Sequence, residues 1–233
     1  EPLLTATTLR VDAGGVPAID GLSLRTTGER VLLLGAARAL FEAAAGLRGI
    51  ARGKLLVEGT APSVAIRAGA AACAPLDPPL PRLWTVAQYV TWSARLAGHG
   101  RSAATSLAGE ALERLQLASL ARTKLGVAPL SVRRGTGVAA AMATGATTLL
   151  VEDPLPGLAD EAARPFARVL SRALDGRRSA VFAARISLDS PLALAADEAL
   201  VVDGSRVVAQ GAPAEIAAAD RTVVVRLHGN AAA

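Results

Sequence analysis

The chain has 233 residues, of which 52% are hydrophobic, 3% aromatic and 19% charged. This length and apolar content suit one globular domain with a buried core, and they exclude a disordered chain. The net charge of +5 comes from arginines scattered along the sequence, so it does not indicate a nucleic-acid partner. The single cysteine, Cys73, excludes an intrachain disulfide and is interpreted as a small buried hydrophobe.

Residues 1–75 predict a β-hairpin followed by buried strands around one helix. Alternating apolar and polar residues at 3–11 and 18–25 flank the turn Asp12-Ala13-Gly14-Gly15, which is typical of two antiparallel edge strands. Apolar runs predict buried strands at 30–34 and 70–75, and a further strand is predicted at 54–58. A helix is expected at 36–47.

A proline-rich loop separates these elements from an all-helical region. Four prolines between Pro75 and Pro81 exclude a helix or a central strand there. Thr85 is expected to cap a helix that ends near Leu96, and Ser131 to cap one that ends near Ala143, with another helix at 102–117. We therefore expect an inserted helical subdomain at about 80–145.

Residues after 145 return to an alternation of strands and helices. Strands are predicted at 148–151, 180–184, 198–202 and 206–210, helices at 160–174 and 213–218, and a last strand at 221–228. The whole chain, residues 1–233, is thus predicted to be a single α/β domain with a mostly parallel sheet.

The junction after the strand at 30–34 lacks a phosphate-binding loop. Such a loop, G-x-x-x-x-G-K-S/T, offers backbone amides and a lysine to phosphate and a hydroxyl to Mg²⁺. Counted from Gly35, the glycine, lysine and hydroxyl positions hold Leu40, Phe41 and Glu42. Neither of the two lysines of the chain follows a strand-to-glycine turn, so no shifted alignment restores the pattern.

Taken in order, these elements resemble the nucleotide-binding subunit of an ABC transporter across residues 3–220. The sequence is similar at 18–24, 28–30, 45–47, 80–86 and 157–158, and it is closest at 201–216. The resemblance implies a P-loop NTPase-like fold, in which a mostly parallel sheet has an antiparallel β edge and an inserted helical subdomain. It also implies a membrane-spanning permease and a second nucleotide-binding subunit as partners.

The positions by which this family binds and hydrolyses ATP carry other residues here. Ala13 stands where an adenine-stacking aromatic is expected, Leu76 replaces the Q-loop glutamine, and Arg185 replaces the switch histidine. The signature LSGGQ reads Leu130-Ser131-Val132-Arg133-Arg134, and Glu152-Asp153 inverts the Walker B pair. We expect these positions to be degenerate and none of them to be catalytic, and we expect neither ATP nor a metal as a cofactor.

Structural roles compete with functional ones at several residues. Glu152 and Asp153 are interpreted as a capping or salt-bridging pair, with Mg²⁺ binding as the alternative. Ser131 is expected to cap its helix, and the resemblance implies contact with a partner's γ-phosphate as a second role. His99 and His228 are interpreted as surface residues.

Four residues are expected at an interface. Arg133 and Arg134 lie near a helix start, where cations oppose the helix dipole. They either reach a partner's nucleotide or acidic surface, or form a solvated pair. Trp84 and Tyr89 begin the helical region and suit an interface, whereas Trp92 fits either an interface or the core.

We therefore predict a catalytically silent nucleotide-binding subunit that pairs with another, different subunit and docks a membrane permease. No signal peptide or membrane span is apparent, so we expect the chain at the cytoplasmic face of the membrane, held there by its partners. Two alternatives are a divergent but active ATPase and a soluble scaffold or regulator. The scaffold would lack an apolar groove between the two subdomains.

Overall fold

The computed structural model describes residues 1–219, so the strand predicted at 221–228 and His228 lie outside the described residues. The strands are β1 (Leu4–Ala13), β2 (Val16–Arg25), β3 (Arg30–Gly35), β4 (Arg52–Val57), β5 (Ala71–Ala74), β6 (Thr148–Glu152), β7 (Arg178–Ala183), β8 (Glu198–Asp203) and β9 (Arg206–Gly211). The helices are α1 (Ala37–Ala44), α2 (Pro62–Arg67), α3 (Val86–Leu96), α4 (Arg101–Arg114), α5 (Leu130–Ala143), α6 (Asp160–Ala173), α7 (Pro191–Leu194) and α8 (Pro213–Ala219), with a 3-10 turn at Ala118–Leu120.

The first hairpin and β4 form a small sheet of their own. β1 and β2 pair antiparallel across the turn at Gly14 and Gly15, as the alternating pattern predicts. β4 pairs antiparallel with the other edge of β1, which gives the order β2-β1-β4. The predicted hairpin is therefore confirmed, but its strands form a second sheet rather than an edge of the main one.

The main sheet has six strands in the order β5-β6-β7-β3-β8-β9. The first five strands are mutually parallel, and β9 pairs antiparallel with β8 at the edge. β3, β6 and β7 are buried along most of their length, which explains why their sequences are continuous apolar runs. The mostly parallel α/β sheet with an antiparallel edge is confirmed.

Two buried clusters cover the opposite faces of the main sheet. One contains α1, which lies between the two sheets and buries Leu40 and Phe41 beside Leu33 of β3. The other contains the facing side of β3, with Leu32 and Leu34, together with residues of α3, α4, α5 and α6. Neighbouring residues of one strand thus point into different cores, as the period of two requires.

The segment between β5 and β6 carries α3, α4 and α5, which pack on one another. Its proline-rich start, Pro75 to Pro81, has no helix or strand, as predicted. The division of the chain into one domain with a helical subdomain stays a prediction. None of the helices within residues 1–219 is long and apolar enough to cross a membrane.

Candidate functional site

The junction between β3 and α1 contains a single residue. β3 ends at Gly35 and α1 begins at Ala37, so only Ala36 lies between them. Gly35 has a φ of +104°, and a Cβ atom there would lie 1.9 Å from the carbonyl oxygen of Val202. Only glycine fits this position. The chain therefore turns from the sheet directly into the helix.

The residues at the expected glycine and lysine positions face the core. Leu40 and Phe41 are almost completely buried. The Phe41 ring packs edge-on against Phe182 of β7, with ring centroids 5.6 Å apart. These contacts anchor α1 against the sheet, and they keep both side chains in the core.

The residue at the hydroxyl position is held by two arginines. Glu42 forms ion pairs with Arg38, at 3.1 Å, and with Arg48. Burial raises the pKa of Glu42, but hydrogen bonds from Arg38 and Arg48 lower it more, so its pKa lies below the ordinary value. Arg48 also donates to the carbonyl oxygen of Asp12 at 3.0 Å, which ties this cluster to the first hairpin.

The two carboxylates after β6 are both used within the chain. Glu152 Oε2 accepts a hydrogen bond from the backbone N–H of Leu76 at 2.8 Å. Asp153 Oδ1 accepts one from the N–H of Leu155 at 2.9 Å. Burial raises the pKa of Asp153. Within residues 1–219, no group of three or more histidine, cysteine, aspartate or glutamate residues is placed to hold a metal ion.

Parallel pairing brings most of the sequence-predicted positions to one edge of the main sheet. Gly35, Glu152 and Asp153 lie where β3 and β6 end, and the exposed Arg185 follows the end of β7, which lies between them. This carboxyl edge is the usual ligand site of open α/β sheets. Ala13 lies in the other sheet, at the tip of the hairpin.

The sequence prediction for Ser131 is wrong in one respect. α5 begins at Leu130, its N-cap is Pro129, and no side chain makes a capping hydrogen bond. The carbonyl oxygen of Pro129 accepts the first helical bond, from Arg133 N–H at 3.0 Å. The extended backbone of Pro129 (φ −54°, ψ 155°) starts the helix two residues earlier than the serine would. Ser131 lies inside the first turn.

Arg134 is buried inside the chain, contrary to the expectation of an interface residue or a solvated arginine. Its Nη1 donates to the carbonyl oxygens of Pro154, at 3.0 Å, and of Pro156. Its Nε lies 3.5 Å from Asp77 Oδ1, close enough for an ion pair but without hydrogen-bond geometry. Arg133, its neighbour, is exposed.

Solved structures with a similar fold include ATP-binding cassettes. CbiO1 from Clostridium perfringens, part of the ABC transporter complex CbiONQ, matches with a TM-score of 0.79 and 17% identity over 94% of this chain and 92% of that one. A nucleotide-free cassette from an ABC transporter has a TM-score of 0.76 and 17% identity over 96% and 98%. The ADP-bound cassette MJ1267 has a TM-score of 0.73 and 17% identity over 91% of each chain. The fold is that of an ATP-binding cassette. No family model and no curated protein matches the sequence.

An apolar groove lies between the helical segment and the main sheet. The groove has a volume of about 580 Å³ and is bounded by α2, β5, α3 and α5. Its lining includes Ile66, Cys73, Pro78, Tyr89, Ser93 and Leu96. The sequence analysis did not predict α2, although Pro62 at the first position of this helix is a signal for a helix start.

Three aromatic rings form a cluster beside this groove. Trp84 packs edge-on against Trp92 with centroids 5.6 Å apart, and Tyr89 lies 5.9 Å from Trp92. Trp92 is 42% exposed, so the interpretation of Trp92 as a core residue is wrong. Trp84 and Tyr89 are half-buried.

Cys73 is less buried, and His99 less exposed, than the sequence analysis predicted. Cys73 is half-buried rather than fully buried, because it faces the groove, and burial raises the pKa of its thiol. His99 is half-buried, and its Nε2 lies 2.7 Å from the carbonyl oxygen of Thr144 at the end of α5. His99 therefore joins the end of α5 to the turn before α4 instead of being a free surface residue.

Proposed function

We propose that the chain is a catalytically silent cassette subunit, which pairs with a second, different cassette and docks a membrane permease. The observation that carries this proposal is the one-residue junction between β3 and α1. Phosphate-binding sites at strand-to-helix junctions are built from backbone amides in a loop that precedes the helix. The junction between β3 and α1 has no such loop. The side chains of Leu40 and Phe41 face the core instead.

The residues at the carboxyl edge do not fit a Mg²⁺-bound triphosphate. Glu152 and Asp153 each accept a hydrogen bond from the backbone. Burial raises the pKa of Asp153, so its surroundings stabilise the carboxylate form, which Mg²⁺ binds, less well than water does. Leu76 and Arg185 offer neither a neutral amide nor a proton acceptor there. We therefore propose no cofactor for this site.

The groove supports docking of a membrane partner. It is open, largely apolar and lined in part by aromatic residues, which are enriched in protein interfaces. It is also the feature that a soluble scaffold was expected to lack. CbiO1, which has the same fold, is part of a transporter complex. We propose that a permease segment fills this groove and holds the chain at the cytoplasmic face of the membrane.

Calorimetry with Mg-ATP tests the catalytic part of the proposal. We expect no measurable heat when the purified chain is titrated at a concentration able to detect millimolar binding, and no ATP hydrolysis. Binding in the micromolar range, or hydrolysis that is lost in Glu152→Gln and Asp153→Asn, would overturn catalytic silence and favour a divergent, active ATPase.

Recovery on membranes tests the docking part. The tagged chain is expressed in its own cells, and its partners are identified in the washed membrane fraction. We expect a polytopic membrane protein and a second cassette to copurify with it. Leu96→Asp should lower membrane recovery at least about fivefold, because Leu96 lines the groove and is 66% exposed.

Leu194→Asp is the matched control for this experiment. Leu194 is 60% exposed, but it lies on α7 outside the groove. Its substitution should leave membrane recovery unchanged. Recovery of the wild-type chain in the soluble fraction, with no membrane protein attached, would favour the scaffold or regulator instead.

A further inference from the structure

The positive excess of the chain lies entirely in the segment between β5 and β6. Residues 76–145 contain eight arginines and lysines but only three acidic residues, whereas the rest of the chain has 17 of each. Individual arginines are scattered along the sequence, but the excess is not. Neither 78–109 nor 114–151 contains an aspartate or a glutamate. The helical segment therefore has little negative charge of its own to pair with its cations.

Two stretches of this segment pair into a short antiparallel ribbon, formed by residues 82–85 before α3 and 124–127 before α5. The carbonyl oxygen of Arg82 accepts a hydrogen bond from Gly126 N–H at 2.9 Å. A Cβ atom on Gly126 would lie only 2.9 Å from the same oxygen, so glycine allows this close approach. The backbone of the ribbon is thus held in a fixed place.

The ribbon exposes two apolar side chains to solvent. Leu83 is 81% exposed and Val127 is 80% exposed, the highest values for large apolar side chains within residues 1–219. Leu83 follows Arg82 and Val127 follows Gly126, so both adjoin the same backbone hydrogen bond. Neither lines the groove. Single exposed apolar residues are ordinary, but a pair on one rigid ribbon indicates an interaction surface.

Four cations accompany these apolar residues. Arg82 and Lys124 belong to the ribbon, and Arg122 precedes its second stretch. Arg133, at the start of α5, lines a pocket together with Arg82 and Gly126 of the ribbon. All four are exposed, and none forms an ion pair or a side-chain hydrogen bond with any of residues 1–219. Their charges are therefore available to an external anion.

We propose that the ribbon binds the anionic surface of a phospholipid bilayer. Leu83 and Val127 enter the boundary between headgroups and acyl chains, and the four cations lie against lipid phosphates. An acidic protein or a nucleic acid could pair with the charges, but only a bilayer also removes two aliphatic side chains from water in this way. This contact lies outside the groove, so it would add to the hold of any partner there.

Binding of the purified full-length chain to protein-free vesicles tests this proposal. The vesicles contain phosphatidylcholine with or without about 30% phosphatidylglycerol, and the bound protein is measured by flotation. Wild type should bind the anionic vesicles at least about tenfold more tightly than the zwitterionic ones. This binding should weaken about fivefold between roughly 50 and 500 mM NaCl, because salt screens the charges.

A first pair of variants tests the apolar part of the ribbon. Leu83→Asp/Val127→Asp should bind anionic vesicles about tenfold more weakly than wild type, because two aspartates cannot enter the headgroup boundary. Leu194→Asp/Val208→Asp makes the same change at exposed apolar residues of α7 and β9. This control should bind as wild type does.

A second pair tests the charges. Arg82→Gln/Lys124→Gln should bind about tenfold more weakly at low salt and show a smaller salt dependence. Arg25→Gln/Arg206→Gln removes the same charge from exposed residues of β2 and β9, and it should bind as wild type does.

Three outcomes would overturn the proposal. Wild type could bind anionic vesicles no better than zwitterionic ones. The ribbon variants could bind no more weakly than their controls, which would indicate a general charge effect. Wild type could bind an RNA of about 30 nucleotides more tightly than the vesicles, which would make nucleic acid the anionic partner. Leu96→Asp, in the groove, should bind these vesicles as wild type does. Because the vesicles contain no permease, this proposal and groove docking fail separately.

Discussion

Asp153, which follows β6, is a buried acidic residue whose surroundings shift its pKa. Its side chain is only 6% exposed, and its Oδ1 receives the N–H of Leu155. Burial raises its pKa, with repulsion from Glu152 adding to the effect, while the Leu155 bond and Arg134 act in the opposite direction. The net result is that the pKa of Asp153 lies above its ordinary value in the folded state.

Replacing Asp153 by asparagine should stabilise the protein in a pH-dependent way. The unfolded carboxyl ionises at about pH 4, and the folded one at a higher pH, so wild type loses stability as pH rises through this interval. Asp153→Asn keeps the acceptor for Leu155 and removes this cost. Its midpoint of urea unfolding should therefore exceed that of wild type at pH 7, and the difference should shrink towards pH 4.

The exposed Asp203 provides the control for this measurement. Asp203→Asn should shift the urea midpoint little at either pH. If the urea midpoint of Asp153→Asn lies below that of wild type at pH 7, the negative charge of Asp153 stabilises the folded protein. That result would contradict the expectation that burial of this carboxylate is destabilising.

At the scale of the element, α3 is set by its own sequence. Thr85 Oγ1 accepts the N–H of Gln88 at 3.2 Å, and Gln88 Oε1 accepts the N–H of Thr85 at 2.8 Å. This reciprocal capping box satisfies two backbone donors that the helix leaves free. The helix carries Tyr89 and Trp92 of the aromatic cluster, so the cap also fixes the wall of the groove.

Thr85→Ala should destabilise the protein by about 1 kcal/mol, because both capping bonds depend on the threonine hydroxyl and the geometry it fixes. Thr85→Ser keeps the hydroxyl and should retain most of the stability. Thr105→Ala, whose hydroxyl bonds only to a carbonyl of its own helix α4, should be close to neutral. Urea unfolding of the three variants would measure these differences.

The elements that the sequence predicted well are those with local signals. The capping box at Thr85 and the buried run of β3 depend on neighbouring residues alone. The prediction of Ser131 as an N-cap was wrong because Pro129, two residues earlier, already starts the helix. α2 and α7 were missed because each spans fewer than eight residues, too short for a helical period to show in the sequence.

At the scale of the molecule, Arg134 connects three distant segments. It lies in α5, bonds to the carbonyl oxygens of Pro154 and Pro156 after β6, and pairs with Asp77 in the proline-rich loop. The helical segment and the carboxyl edge of the main sheet are thus joined by one buried cation. The sequence placed Arg134 near a helix start, but long-range contacts of this kind have no signal in a single sequence.

Arg134→Met should destabilise the chain by about 2–4 kcal/mol, because the two proline carbonyls lose their donor and Asp77 loses its partner. Arg133→Met, at the exposed neighbouring position, should change the free energy of unfolding by less than about 0.5 kcal/mol. Both tryptophans, Trp84 and Trp92, lie in the helical segment, so their fluorescence reports on this segment. In Arg134→Met the fluorescence transition should precede that of circular dichroism.

Coincident transitions in Arg134→Met, at the wild-type urea concentration, would show that Arg134 does not join the two parts of the molecule.

The sequence predicted where the candidate residues lie in the fold, whereas their roles stay predictions. The sequence located the carboxyl edge through Gly35 and Glu152-Asp153, since these follow recognisable strands. The residues that line the groove were not predicted, because its walls come from segments that meet only in three dimensions.

The position of Cys73 gives the chain a chemical reporter of its own. Cys73 is the only cysteine, and its half-buried thiol faces the groove. Because burial raises its pKa, the thiol is a slow nucleophile that can be followed by timed alkylation and mass spectrometry. A molecule seated in the groove would shield this sulfur. Occupancy of the groove can therefore be measured by alkylation of the natural chain, without a tag or a substitution.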